Sequence, residues 1–361
     1  MDSSRIVWLH YGNPKPRWDD NVLKHIRKIA PEADIVPLDA SSATFETARA
    51  AIHHTHDRNF ESSQASSGDP KSKRAVVVNR VSDARAPSLA KFVTTLLAFF
   101  EDVLKIDVVN GSKAWRIGMS KSLQGEILEG VCGLEHPRTN VLRSSVKETN
   151  GEGTKLSGKE VLQFMSRSSD LDYPILVKPN SGGFGAGMRA ISSETDLWNL
   201  EGVFEEFHSN DGVFLLQKMH ADATFFRVFH IGGKVTCAVQ VVKDAEADVA
   251  SFNSCTCTGK VRLVPVHPIS KDVCDEVESI AAACGSDLGS VEFLVAGAAS
   301  NHSTAHLPSE GATRRLYFDV NMLTTFPTPT DIGNDPSIGD PELAVAQYIV
   351  DRMQNSTPVT T

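Results

Sequence analysis

Residues 173–191 read YPILVKPNSGGFGAGMRAI. An apolar run ends in Lys178-Pro179, enters Ser181 to Gly187 with four glycines in seven residues, and leaves through Met188–Ile191. Glycine permits positive φ and lets backbone N–H groups approach a ligand, and successive N–H groups make an anion nest. Two familiar phosphate loops do not fit. A dinucleotide fingerprint running through Gly183 and Gly185 needs glycine where Met188 stands. A P-loop starting at Gly182 fits to Gly187 and then meets Met188-Arg189 instead of Lys-Ser. Both motifs also need a helix after the loop, whereas Met188–Ile191 reads as a strand. The pattern predicts a glycine flap between antiparallel strands, with Lys178 just upstream. A flexible hairpin tip is the plainer alternative.

Downstream, Phe225–Ile231 and Lys234–Val242 flank Gly232-Gly233, a two-residue hairpin signal. Arg227 stands in the first of these strands among Phe225, Phe226, Val228 and Phe229. A buried guanidinium needs an anionic partner, either a phosphate or carboxylate of a ligand or a structural salt bridge. In Leu316-Tyr-Phe-Asp-Val-Asn321 the period of two places Asp319, Asn321 and Tyr317 on one face. Glu292, in Ser290-Val-Glu-Phe-Leu294, points away from Val291 and Phe293. If these two strands are neighbours, Glu292, Asp319 and Asn321 converge as hard oxygen donors suited to Mg²⁺. Taken alone, the Asp-x-Asn pattern is also an ordinary solvated strand face.

Upstream, Ile6–Leu9, Ala33–Leu38, Ala75–Val78 and Lys105–Val109 read as strands separated by amphipathic helices, which predicts βαβ units and a parallel sheet. Between the flap and Val213–Leu216, Ser193 with Asp196 reads as a capping box that opens a helix through Phe207. Val273 to Cys284 reads as a helix capped by Gly285, and Asp340-Pro341 opens a last helix.

The 361 residues suit two or three domains. Apolar residues make up 41% and charged residues 22%, a globular composition. With 36 Lys+Arg against 45 Asp+Glu, the net charge of −9 argues against general nucleic-acid binding. No apolar run reaches ~18 residues, so no membrane span is expected. The start, MDSSRIVWLHYGN, carries no secretory pattern. Six cysteines are too sparse for a disulfide scaffold, and cytoplasmic free thiols are the simpler expectation.

The order of segments resembles the ATP-grasp superfamily. Val109-Asn110 is followed by Lys121, Glu135-His-Pro-Arg-Thr139, Pro174-Ile-Leu-Val-Lys-Pro179 and the glycine flap. Leu215-Leu-Gln-Lys-Met219, Phe226-Arg-Val-Phe-His-Ile-Gly-Gly-Lys-Val235, Val291-Glu-Phe-Leu294 and Phe318-Asp-Val-Asn321 complete the series. The pattern is similar to the ribosomal-protein glutamate ligases and, more distantly, to D-alanine–D-alanine ligase. The resemblance implies an α/β N-terminal domain (1–112) followed by an α+β ATP-grasp fold, two subdomains clamping ATP. These are a central subdomain with the flap (113–216) and a C-terminal subdomain with the Mg²⁺ site (217–355), before a short tail (356–361).

Carried over by position, Lys121 and Lys178 contact the phosphates. Ser181, Gly182, Gly183, Phe184, Gly185 and Gly187 close over them. Gln217, Lys218 and Met219 form the hinge at the adenine edge, and Asp222 reaches the ribose. Glu292, Asp319 and Asn321 hold two Mg²⁺, and Arg227, with Lys178, stabilises the transferring phosphoryl group. The chain departs from the family in four places: Phe226 stands where an acid usually precedes the Arg, Lys218 replaces the hinge acid, no Arg accompanies Asn253, and Met322 to Pro327 replaces the small residue and Pro-Gly after Asn321.

The implied activity is an ATP-dependent carboxylate–amine ligase acting on small-molecule or amino-acid substrates, as a possible homodimer. The same fold resembles the inositol phosphate kinases, for which Arg80, Arg85 and Arg262 are candidate acceptor cations. A nucleotide-binding module without turnover is the third reading.

Overall fold

A computed structural model describes residues 4–11, 16–53, 74–81, 87–144, 146–147, 154–168, 171–182, 187–199, 201–220, 222–243, 261–296, 314–332 and 335–357. Gly183, Phe184, Gly185, Arg85 and Asn253 lie outside the described residues.

Unbroken runs of Val and Ile favour strands covered on both faces. The first quarter of the chain builds such a sheet from β1 (Arg5–Tyr11), α1 (Pro16–Ile29), β2 (Asp34–Asp39), α2 (Phe45–His53), β3 (Ala75–Val81), α3 (Pro87–Ala98) and β4 (Asp107–Val109). Its strand order is β2-β1-β3-β4, all parallel. One face packs on α2 and α3 through Val7, Val77, Val93 and Leu97. After α3 a π-helical turn, Phe99–Val103, places the Glu101 carboxylate on the N–H of Ser112.

Two short helices follow, α4 (Ser112–Gly118) and α5 (Lys121–Gly130). Next come β5 (Thr139–Arg143), β6 (Val146–Lys147), β7 (Thr154–Ser157), α6 (Gly158–Met165), β8 (Ile175–Pro179), β9 (Arg189–Ile191), β10 (Glu206–Ser209) and β11 (Val213–Lys218). These form two antiparallel sheets, β5-β11-β8-β9 and β10-β7-β6. Strands β8 and β9 are the expected antiparallel pair flanking the glycine segment.

The helix expected from Ser193 through Phe207 does not form. The capping box at Ser193 and Asp196 is present, but it opens a single 3₁₀ turn, Glu194–Leu197. The Asn199 side-chain oxygen then accepts the N–H groups of Glu201 and Val203, and Gly202 sits at φ +75°. This local turn competes with helical bonding. Trp198 stacks on Phe204 across it, and Phe207 enters β10 opposite Leu156.

The last part comprises β12 (Thr224–Ile231), β13 (Lys234–Lys243), β14 (Val261–Pro265), α7 (Lys271–Cys284), β15 (Leu288–Val295), β16 (Arg315–Asn321) and α8 (Pro341–Asn355). The antiparallel sheet runs β14-β13-β12-β15-β16. Gly232 and Gly233, at φ +59° and +72°, close the β12–β13 hairpin as their sequence implies. Val228, Val291, Phe293 and Val320 pack under α4, α5 and α7. Helix α8 turns back to pack on α1, and its Val345, Ile349 and Met353 share one core with Ile6, Val22 and Phe229. Among the described residues no helix is long and apolar enough to cross a membrane.

Candidate active site

The floor of the site is the face of the five-stranded sheet turned away from α7. Phe226 and Val228 face the α7 core, so Arg227 between them faces the other way. In register, Arg227 stands opposite Glu292, and Glu292 stands opposite Asp319. The three make one row across β12, β15 and β16. Arg227 Nη2 lies 2.5 Å from Glu292 Oε1. Val320 and Met322 join the core, which leaves Asp319 and Asn321 on the floor. The Asn321 side-chain oxygen accepts the N–H of Leu323 at 3.0 Å.

Tyr317 does not share this face. The ladder slips beyond Glu292, where Phe293 pairs with Tyr317, so Phe318 is an extra, unpaired residue. The bulge turns Tyr317 into the core against Phe293, with ring centroids 5.2 Å apart. Phe318 stays with Asp319 on the floor and meets Phe225 edge-on at 6.0 Å.

The β5-β11-β8-β9 sheet supplies the other wall. Lys178 is 2% exposed, and its Nζ donates to Gln217 Oε1 at 3.0 Å. Lysine has donors only, so this bond fixes which way the amide points. Gln217 Nε2 then donates to Thr139 Oγ1 at 2.8 Å, with His136 beside it. Burial and the Lys178 charge hold the His136 pKa down to about 4, so the imidazole is neutral at pH 7. Lys121, the first residue of α5, joins the two sides of the cleft. Its Nζ donates to Gly182 O at 2.6 Å and lies 4.0 Å from Asp319 Oδ1.

Asn180, absent from the sequence-based set, makes this junction rigid. Its carbonyl accepts the N–H of Lys121 at 2.9 Å. Its side chain accepts the N–H of Ser122 at 2.8 Å and donates to Asp211 at 2.7 Å. The end of β8 is thereby tied to the start of α5. Ser181 Oγ beside it is buried and makes no hydrogen bond among the described residues. Gly187, at φ +73°, sits against Pro179 at the other foot of the glycine segment.

At the end of β11, the N–H of Lys218 donates to Arg138 O at 2.7 Å and that of Met219 to Pro174 O at 3.1 Å. The Lys218 ammonium turns to Asp172 at 2.6 Å and holds that carboxyl below its usual range. A cavity of about 340 Å³ opens here, lined by His136, Lys218, His220 and Leu316 among others. Asp222 is exposed in the turn before β12. Of the cations considered for a kinase acceptor, Arg80 is buried against Asp19 at 3.1 Å, and Arg262 is exposed on edge strand β14.

No family model matches the chain, and the search of curated proteins returned no match. Solved structures do match along almost its whole length. The ATP-grasp ligase PsnB, complexed with a minimal precursor, has 17% identity and TM-score 0.56, covering 98% of this chain and 99% of that one. The chain has the ATP-grasp fold. Two further matches are also ligases. The VanG D-Ala:D-Ser ligase from Enterococcus faecalis gives TM-score 0.57 at 13% identity, over 97% of this chain and 99% of that one. The D-alanine–D-alanine ligase from Bacillus anthracis gives 0.55 at 13%, over 98% and 97%. Lys121 bridges the end of the β5-β11-β8-β9 sheet and the floor of β12, β15 and β16.

Proposed function

We propose that the chain is an ATP-dependent carboxylate–amine ligase acting through an acyl phosphate on small-molecule or amino-acid substrates. The observation that carries this reading is the row Arg227–Glu292–Asp319, bridged by Lys121 to the foot of the glycine segment. PsnB has been solved with Mg and ADP, and with a precursor peptide and AMPPNP, which supports ATP and a divalent ion as partners of the same fold.

The donor set fits Mg²⁺. Glu292 and Asp319 are hard carboxylates side by side on paired strands, and Asn321 adds an amide oxygen on the same face. Two Mg²⁺ held by Glu292, Asp319 and Asn321 would offset charge on the triphosphate. Lys121 and Lys178 would bind phosphate oxygens, and Ser181 Oγ would find an acceptor there. Ser181 to Gly187, including Gly183, Phe184 and Gly185, would exclude water that hydrolyses the intermediate. Gln217, Lys218 and Met219 would border the base, next to the cavity at His136 and His220, and Asp222 the ribose.

A substrate carboxylate oxygen attacks the γ-phosphorus and ADP leaves. An amine then attacks the acyl carbon, and phosphate and a proton are released. Arg227 is placed to stabilise the transferring phosphoryl group and the later oxyanion. The kinase alternative needs cations gathered round an acceptor hydroxyl. Arg80 is already neutralised by Asp19, and Arg262 lies on the far edge of the sheet, which favours the ligase. Phosphate release should depend on both a carboxylate and an amine, with a product lighter than its two substrates by one water. Turnover left intact by both Lys178→Ala and Asp319→Ala would show that the site lies elsewhere.

A further inference from the structure

We propose that Arg227 and Lys121 are exchangeable counter-ions of Glu292 and Asp319, so that a divalent cation and a triphosphate enter the cleft as a linked pair. The inference rests on the reading of the cleft given above and adds how its two ligands depend on each other.

The observation is an alternation of charge. Arg227 lies 2.5 Å from Glu292, with side chains 16% and 7% exposed. Lys121 lies 4.0 Å from Asp319, with side chains 14% and 24% exposed. The two carboxylates are cross-strand neighbours, so the cluster reads cation, acid, acid, cation. Two adjacent carboxylates repel each other, and each has a side-chain cation at hand.

A divalent ion needs the lone pairs of Glu292 and Asp319 turned toward it. Arriving alone, it must displace Arg227 and leave a guanidinium buried without its anion, which is costly. A triphosphate arriving alone faces the reverse. It must draw Arg227 and Lys121 off the acids, leaving Glu292 buried and uncompensated beside its own negative charge. When both arrive, the costs cancel. The ion takes the two carboxylates and phosphate oxygens take the two cations, so every charge exchanges one partner for another of the same sign. Each ligand then raises the affinity of the other, and the coupling is reciprocal. Phosphate oxygens also bind the ion directly and couple the two ligands whether or not Arg227 moves, so the exchange is read with each ligand alone: a purely structural Arg227–Glu292 pair would leave single-ligand affinity insensitive to removal of its partner.

The test uses the full-length protein and Mn²⁺ as a paramagnetic substitute for Mg²⁺, with free Mn²⁺ read by electron paramagnetic resonance and no nucleotide present. Arg227→Met should bind Mn²⁺ about tenfold tighter than the wild type, and Arg227→Lys, which keeps the charge, should stay within about threefold of it. Lys121→Met acts on the more open pair and should shift affinity in the same direction by a smaller factor. It covers the case in which Arg227→Met does not fold, as judged by circular dichroism. In the opposite arm a non-hydrolysable ATP analogue is titrated in EDTA. Glu292→Gln should bind it about tenfold tighter than the wild type, because nothing then holds Arg227 back. Unchanged or weaker Mn²⁺ binding in the folded Met variants, or unchanged or weaker metal-free binding in Glu292→Gln, overturns the exchange. A wild type that takes up neither Mn²⁺ nor analogue when both are supplied overturns the reading of the cleft instead, so the two failures are distinguishable.

Discussion

Two histidines are held without charge, His136 half-buried and His230 fully buried. His136, beside Lys178, and His230, fully enclosed near Ser286 and Asp287, both have pKa values pushed down to about 4, chiefly by burial. The unfolded chain protonates them near pH 6.5 and the folded protein does not, so the unfolded state binds more protons between about pH 6.5 and pH 4. Their contribution is therefore complete above pH 6.5 and falls with acidification. At pH 5 each should subtract roughly 2 kcal/mol of stability relative to pH 7. Thermal unfolding followed from pH 7 to pH 5 should show a steep loss in the wild type and a flatter curve in His136→Gln and His230→Gln. At this scale the sequence reveals chemistry better than geometry. Arg227, Glu292 and Asp319 stand out because charge on apolar strands needs an explanation. Asn180 does not stand out, because its role depends on where α5 ends up, and no local spacing carries that.

Strand and turn signals were readable where one local rule decides them, and misread where two compete. Gly232-Gly233 allows one tight turn, and the hairpin follows. The capping box at Ser193 is real, yet the Asn199 side chain captures the next N–H groups and the helix stops. Alternation along β16 correctly separates Asp319 from Val320, but it fails at Tyr317 because an extra residue is invisible to a period of two. The bulge has a testable use. It displays an apolar ring, Phe318, directly beside an acid on the cleft floor. Phe318→Ala leaves the pairing of Glu292 with Asp319 untouched and removes that ring. It should weaken nucleotide binding by about tenfold, on the order of 1–1.5 kcal/mol, and leave Mn²⁺ binding alone. Calorimetry with each ligand in turn checks this, and an equal loss of both would mean that the floor itself has been disturbed.

At the scale of the molecule, Asn110 is one of the ties that fasten the parallel sheet of the first quarter to the acid-bearing sheet of the last. Asn110 sits at φ +54° just after β4. Its side-chain oxygen accepts the N–H groups of Asp287 and Leu288, and its amide donates to Leu288 O and Met322 O. Met322 directly follows Asn321. Arg352 of α8 adds a second tie, to Asp107 at the start of β4 and to Asp287 before β15. Asn110→Ala leaves several buried backbone groups unpaired and should cost about 3 kcal/mol or more. A chemical-denaturation midpoint within error of the wild type would show that the junction is held elsewhere. The sequence marked Val109-Asn110 as a familiar pair without showing what it joins, because its partners lie about 180 and 210 positions later.

That junction also dictates an order of assembly. The core under β1 and β3 is shared between α1, made early, and Val345 to Met353 of α8, made much later. During synthesis the opening βαβ layer emerges with one side bare, and only when α8 clears the ribosome can that side be sealed. A ribosome stalled before codon 341 should therefore hold a nascent chain whose first layer is still open to proteases and chaperones, however many of its strands have already paired.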